Sequence, residues 1–191
     1  SSMSATIKYR REAFAAGQMS RRSLLFSLPV ILAAPRLLAQ SGKSAVQPLF
    51  LENVTISVSD MKRSVPFYDK LLPLLGFGVQ ERVSAVIEEH DKHVVQYTHP
   101  RLGFAITSPR SGFASETINR RKPGALHHLA FKAPSRDEVD RLHSKLKQIG
   151  ATVVSPPREY PEYTPPGYYA LYFKDPEGIK YEIVCTKRDA G

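Results

Sequence analysis

The sequence predicts an α+β fold of two βαβββ modules whose curved mixed sheets surround a pocket. Three observations predict it. Residues 49–187 run through the same order of periodicities twice, each half has one amphipathic helix ended by a glycine, and each helix is followed by three strand-like runs. The chain's 191 residues suit one domain with a sizeable core.

The first module spans 49–108. In "LENVTISVSD", Asn53, Thr55 and Ser57 alternate with Val54, Ile56 and Val58, the period-two pattern of a half-buried strand. A helix follows, with Ser59 or Asp60 as an early cap. Pro66 suits a first turn, which sets the start of the regular helix near Ser64. Phe67, Leu71, Leu74 and Leu75 make its apolar stripe and Gly76 ends it. Strand-like runs occur around 79–88, 92–98 and 102–107, with "EHDKH" as a hairpin loop that leaves His90 and His93 solvated.

A Gly-, Ser-, Arg- and Lys-containing linker, 109–123, leads to the second module, 124–187. There "HHLAFKA" reads as a strand. Ser135 with Glu138 three residues later forms a capping box, which ties off free N–H groups at the helix start. Val139, Leu142, Leu146 and Ile149 form the buried face up to Gly150. Strands follow around 151–154, 168–173 and 179–185, the last two joined by the turn "DPEG".

Superposing the halves sets Asn53 opposite His128 and Ala105 opposite Glu182. Strand alternation sends His128 to one face and its neighbour His127 to the other, while Glu182 shares its face with Val184. His128 and Glu182 are thus the pair expected to converge in the pocket.

Outside the modules, "SRRSLLFSLPVILAAPRLLAQ" has the order of an export signal: Arg21 and Arg22, an apolar stretch from Leu24 to Ala34, and small residues near Ala39. Residues 1–40 are read as a leader of twin-arginine type and 41–48 as a polar linker. Export is then expected, and a cytoplasmic location if the segment is not a signal. Pro29 and Pro35 interrupt the run, so no stable membrane span is expected. Residues 1–43 carry a net charge of +6 and the remainder only +3. This distribution, with no basic stripe interleaved with aromatics, argues against nucleic acid as a partner. A single cysteine, Cys185, excludes an intramolecular disulfide framework and a cysteine-based zinc cluster.

"NVTISVSDMKRSVPFYDKLLPLLGF", "HHLAFKA" and "YPEYTPPGYYALYFKDPEGIKYEIV" resemble the vicinal oxygen chelate superfamily, which includes glyoxalase I, bleomycin resistance proteins and extradiol dioxygenases. The resemblance covers about residues 50–186. It implies a small-molecule substrate or ligand, pairing into homodimers, and a divalent metal (Fe, Mn, Ni, Co or Zn). Carried over by position, His128 and Glu182 match metal ligands, with Glu182 also a catalytic ligand or base. Asn53 and Ala105 depart from the pattern, for they stand where a histidine and a carboxylate are usual.

Two functions follow from the resemblance. One is a metal-dependent lyase, isomerase or dioxygenase acting on a small oxygenated substrate. The other is a metal-free protein that binds or sequesters a drug or aromatic metabolite, as bleomycin resistance proteins do. For the second, Tyr160, Tyr168, Tyr169 and Arg158 are candidate pocket residues around "YPEYTPPGYY", with Asn53 on the opposing module. The competing structural reading has these tyrosines packing the loop onto the sheet and His128 simply hydrogen-bonding Glu182.

Overall fold

The computed structural model describes residues 8–10, 50–163 and 166–186. The expected leader (apart from 8–10), the linker 41–48 and residue 187 lie outside the described residues. Two sheets and two helices make up the fold. The first sheet has the order β1-β3-β4-β5-β2, from Lys8–Arg10, Gly78–Ile87, Lys92–Thr98, Gly103–Thr107 and Asn53–Ser57. The second has the order β6-β9-β8-β7, from Leu129–Lys132, Lys180–Cys185, Tyr169–Lys174 and Thr152–Glu159. Helix α1, Met61–Leu74, follows β2, and α2, Arg136–Gln148, follows β6. In both modules the first strand runs parallel to the last, β2 with β5 and β6 with β9. This is the expected βαβββ duplication. Lys8–Arg10 adds a strand that the sequence reading assigned to the leader, pairing antiparallel with Ser84–Val86 along the outer edge of β3.

Helix α1 starts earlier than Pro66 implied. Asp60 accepts from Lys62 N at 2.9 Å and Arg63 N at 3.2 Å, which satisfies the first free N–H groups and fixes the start at Met61. Pro66 and Pro73 then lie inside the helix. The carbonyl that Pro66 leaves without a helical partner belongs to Lys62, an exposed residue. In α2, Ser135 accepts from Glu138 N at 3.1 Å, but the Glu138 carboxylate turns to Arg141 instead of closing the box. Gly76 and Gly150 end the helices at φ values of 89° and 86°, the left-handed conformation that favours glycine.

Strand β7 runs to Glu159, well past its expected end, despite Pro156 and Pro157. It is an edge strand and its register with β8 shifts between Ser155 and Arg158, so neither proline breaks a regular ladder. His93 lies in β4 and not in a loop, with Nε2 3.0 Å from Ser84 Oγ. The hairpin turns earlier, through Glu88–His90 and Asp91 at φ 48°.

One apolar core joins the helical sides of both modules. Tyr68, Leu71, Leu72, Phe104 and Ile106 pack in one cluster with Leu146, Leu171, Phe173, Tyr181 and Ile183. Burying each aliphatic side chain contributes about 1.5–3 kcal/mol. Polar contacts reinforce the seam. Tyr68 OH donates to Asp175 Oδ2 at 2.6 Å and lies 2.6 Å from Tyr181 OH. Glu177, in the turn before β9, accepts from Ser59 N at 2.7 Å, from Ser59 Oγ, and from Arg63 Nε at 3.0 Å. The "DPEG" turn of the second module therefore clasps the start of the first module's helix.

Candidate functional site

The sheet registers give the two modules a common frame. In module 1, Thr55 pairs with Ala105, and in module 2, Ala130 pairs with Glu182. Asn53 and His128 each stand two residues before those partners, so the structure keeps both expected correspondences. Ala105 takes the face that Glu182 takes in its own module, while neighbouring Phe104 goes into the core.

Glu182 is almost fully buried, at 1% exposure, yet its carboxylate is well partnered. Oε2 lies 3.1 Å from His128 Nε2, and Oε1 accepts from Tyr168 OH at 2.5 Å and from Tyr172 OH at 2.9 Å. Burial, and then the hydrogen bond to Glu182, push the phenols of Tyr168 and Tyr172 well above the usual tyrosine range.

The expected separation of the two histidines does not occur. β6 begins only at Leu129, so period-two alternation does not govern residues 127 and 128. Their Nδ1 atoms are 2.7 Å apart and the rings meet edge-on, with centroids separated by 5.0 Å. Arg120, from the linker, places a guanidinium nitrogen 3.1 Å from His127 Nε2. A guanidinium only donates, so His127 Nε2 accepts and its Nδ1 carries the proton. His127 Nδ1–H then donates to His128 Nδ1, which puts the proton of His128 on Nε2, the ring nitrogen 3.1 Å from Glu182 Oε2. Partial desolvation, followed by the neighbouring His128 and Arg120, lowers the pKa of His127 and favours this neutral form. The result is a hydrogen-bonded chain from Arg120 through two imidazoles, the second of which lies beside a buried carboxylate.

An aromatic wall adjoins Glu182. Tyr160 stacks on Tyr163 with centroids 5.1 Å apart and planes 5° apart, and meets Tyr172 edge-on at 5.5 Å. The Tyr160 hydroxyl donates to Ser155 Oγ at 2.8 Å. Arg158 does not reach the carboxylate; its guanidinium covers the Tyr160 ring at 3.7 Å. Tyr169 faces the other way, donating to Asp140 Oδ1 on α2 at 2.8 Å beneath Arg136. Tyr172 was not among the sequence candidates. The signal that finds it is the period of two from Tyr168 through Ala170, which puts it beside Glu182 in the β8–β9 register. Asn53 stands exposed on β2 of the other sheet.

A cleft of about 460 Å³ opens between β2 and the linker, lined by Thr55, Ser57, Ile118, Arg120, Leu126 and Ile179 among others. Arg120 connects it to the histidine–glutamate chain. A larger cleft of about 680 Å³ lies around Gly76, Thr98 and His99. There His99 accepts from Arg101 N at 3.1 Å and packs on Phe77, so it adds no donor to Glu182.

His128 and Glu182 are donors of the kinds divalent metals take. They form a pair and not a set: among the described residues, no three His, Cys, Asp or Glu side chains gather closely enough to hold an ion. Module 1 offers only a neutral amide at Asn53 and a methyl at Ala105. In the hydrogen-bond chain, His128 Nε2 also carries a proton in place of a free lone pair. The residues present do not compose the three-ligand centre that the family pattern implies.

Comparison with known proteins places this geometry. Residues 51–183 match the sequence model of the Glyoxalase/Bleomycin resistance protein/Dioxygenase superfamily, whose members commonly use divalent metals. The uncharacterized protein YqjT of Bacillus subtilis (strain 168) is 29% identical over 135 residues, 71% of this chain and 98% of that one. A 2,2',3-trihydroxybiphenyl dioxygenase of Sphingomonas paucimobilis is 26% identical over 142 residues, 74% of this chain but only 43% of the enzyme. Among solved structures, one from Bacillus halodurans described as a candidate glyoxalase matches at 32% identity with a TM-score of 0.53, over 71% of this chain and 94% of its own. A glyoxylase/bleomycin resistance protein/dioxygenase domain from Frankia sp. EAN1pec, at 21% identity and a TM-score of 0.59, covers 74% of this chain and all of its own, and shares the fold.

Proposed function

Because this chain belongs to the Glyoxalase/Bleomycin resistance protein/Dioxygenase superfamily, we propose that it binds a small oxygenated aromatic molecule through Glu182, His128 and the tyrosine wall. In this reading the His128–Glu182 contact stands in place of a three-ligand metal centre. The observation that carries it is the state of Glu182: buried, hydrogen-bonded by two tyrosine hydroxyls, and 3.1 Å from His128 Nε2. A ligand hydroxyl that takes the place of one tyrosine meets a preformed acceptor, and the rings of Tyr160, Tyr163 and Tyr172 supply apolar area and edge-on contacts. The aromatic class is supported by the dioxygenase relative, whose name gives a polyhydroxylated biphenyl as its substrate.

A second reading, a lyase, isomerase or dioxygenase using Fe, Mn, Ni, Co or Zn, is favoured by one observation. His128 Nε2 and Glu182 Oε2, 3.1 Å apart, are close enough to share an ion. It requires the other His128 tautomer, with Nε2 free and the proton on Nδ1, and further donors from water or substrate.

Calorimetric titration of chelator-treated protein with 4-methylcatechol tests the first reading. Saturable binding is expected, weakened about tenfold by Glu182→Gln, since a hydrogen bond to a charged acceptor contributes about 1.5–3 kcal/mol. Binding that appears only after metal is restored, or that ignores Glu182→Gln, overturns it in favour of the second.

A further inference from the structure

Arg120 does more than end the imidazole chain, since it also lines the cleft beside β2. One guanidinium nitrogen engages His127, and a guanidinium has five N–H donors in a planar fork. Among the described residues, no carboxylate pairs with Arg120. Lys180 stands one strand period before Glu182, with Nζ 4.1 Å from the centroid of Tyr172. Burial, and then the positive charge of Arg120, depress the lysine's pKa, so the two cations share one electrostatic neighbourhood. The carboxylate that acts on Lys180 is Glu182, already hydrogen-bonded by Tyr168 and Tyr172 and close to His128. Around Arg120 the cleft is apolar: Ile118 and Leu126 are 41% and 44% exposed, with Ile179 behind them. A guanidinium with no carboxylate partner among the described residues, over exposed apolar walls, is the complement of an amphiphilic anion.

We propose that the natural ligand is an anionic aromatic whose ring meets the tyrosine wall beside Glu182 and whose carboxylate or equivalent oxyanion is held by Arg120, with Lys180 beside it, at the cleft edge formed by Ile118, Leu126 and Ile179. This rests on the reading of the Glu182 site as a small-molecule site and names its substrate class. The guanidinium fork matches a carboxylate in two parallel hydrogen bonds, whereas the lysine contributes as a point charge. Because the same guanidinium orients His127, an anion on Arg120 is coupled through His128 to Glu182.

The experiment compares two probes that differ in one group, 3,4-dihydroxybenzoate and 4-methylcatechol, titrated calorimetrically into the full chain. The carboxylate is expected to bind about tenfold tighter or more at low salt. The ratio should shrink as ionic strength rises to about 0.5 M, because the cations are partly exposed. In Arg120→Gln the ratio falls toward one. In Lys147→Gln, which removes the same charge from α2, it is retained. Equal affinities for the two probes, or a ratio that survives Arg120→Gln, overturn the anion assignment. The binding reading stands or falls separately on whether Glu182→Gln weakens 4-methylcatechol. If neither probe binds, both are overturned.

Discussion

Replacing Glu177 with Ala removes the clasp between the modules, and its cost follows from the bonds lost. The Glu177 side chain is 1% exposed, whereas that of Arg63 is 52% exposed. After truncation Arg63 turns into solvent, so its ion pair counts for no more than about 0.5–1 kcal/mol. Ser59 N–H and Oγ–H lose a charged acceptor at a partly buried site, each worth about 1–1.5 kcal/mol. The expected loss is about 2–4 kcal/mol, or about 6–15 °C in Tm for a domain of this size. Glu177→Gln keeps an acceptor and should lose about half as much. Burial raises the Glu177 carboxyl, but the bonds from Ser59 and Arg63 outweigh it, leaving its pKa below the ordinary value. A depressed folded-state pKa contributes stability that is complete above the unfolded value, about 4.3, and is lost as pH falls through the folded value. The gap between wild type and Glu177→Gln should therefore be full at pH 7 and close in acid. Urea denaturation at several pH values measures it. A loss below about 0.5 kcal/mol for Glu177→Ala, or an equal loss for Arg63→Ala, would refute the clasp.

Two further outcomes are expected. Tyr68→Phe removes the hydroxyl shared by Asp175 and Tyr181 at a fully buried point and should cost about 2–4 kcal/mol, read as a lower urea midpoint at constant m-value. In alkaline titration followed at 295 nm, the phenols of Tyr68, Tyr168, Tyr172 and Tyr181 should stay protonated through about pH 11 while the fold persists. Their folded pKa values are raised, so their contribution is complete below the unfolded value, about 10, and is lost as pH climbs above it.

Most of the fold was legible in the sequence because it is written twice. The strand at 53–57, the stripe on α1 and the capped α2 repeat in order, and a repeat checks its own register. That is why the match of Asn53 with His128, and of Ala105 with Glu182, was reachable by pattern alone. Errors arose where a local rule was applied past the end of its element. Alternation was extended to His127 and His128, which precede β6, and it was not applied to Tyr168 and Tyr169, which straddle the start of β8 and face opposite ways. Tyr172 and Arg120 stayed hidden for different reasons. The first lies in the apolar strand β8, whose pattern marks core as readily as pocket, and the second lies in a linker whose path no periodicity encodes. Pro66 misplaced a helix start because the Asp60 cap outweighs one missing hydrogen bond on a solvated turn.

We propose that His128 and Glu182 serve as a contact pair in a binding pocket and not as two ligands of a metal centre. Metal content by mass spectrometry tests it most directly, after reconstitution of the protein with Fe, Mn, Ni, Co and Zn in turn and removal of free ions. Far less than one equivalent of any metal is expected, with no change in Glu182→Ala. One tightly held equivalent that disappears in both His128→Ala and Glu182→Ala would contradict it.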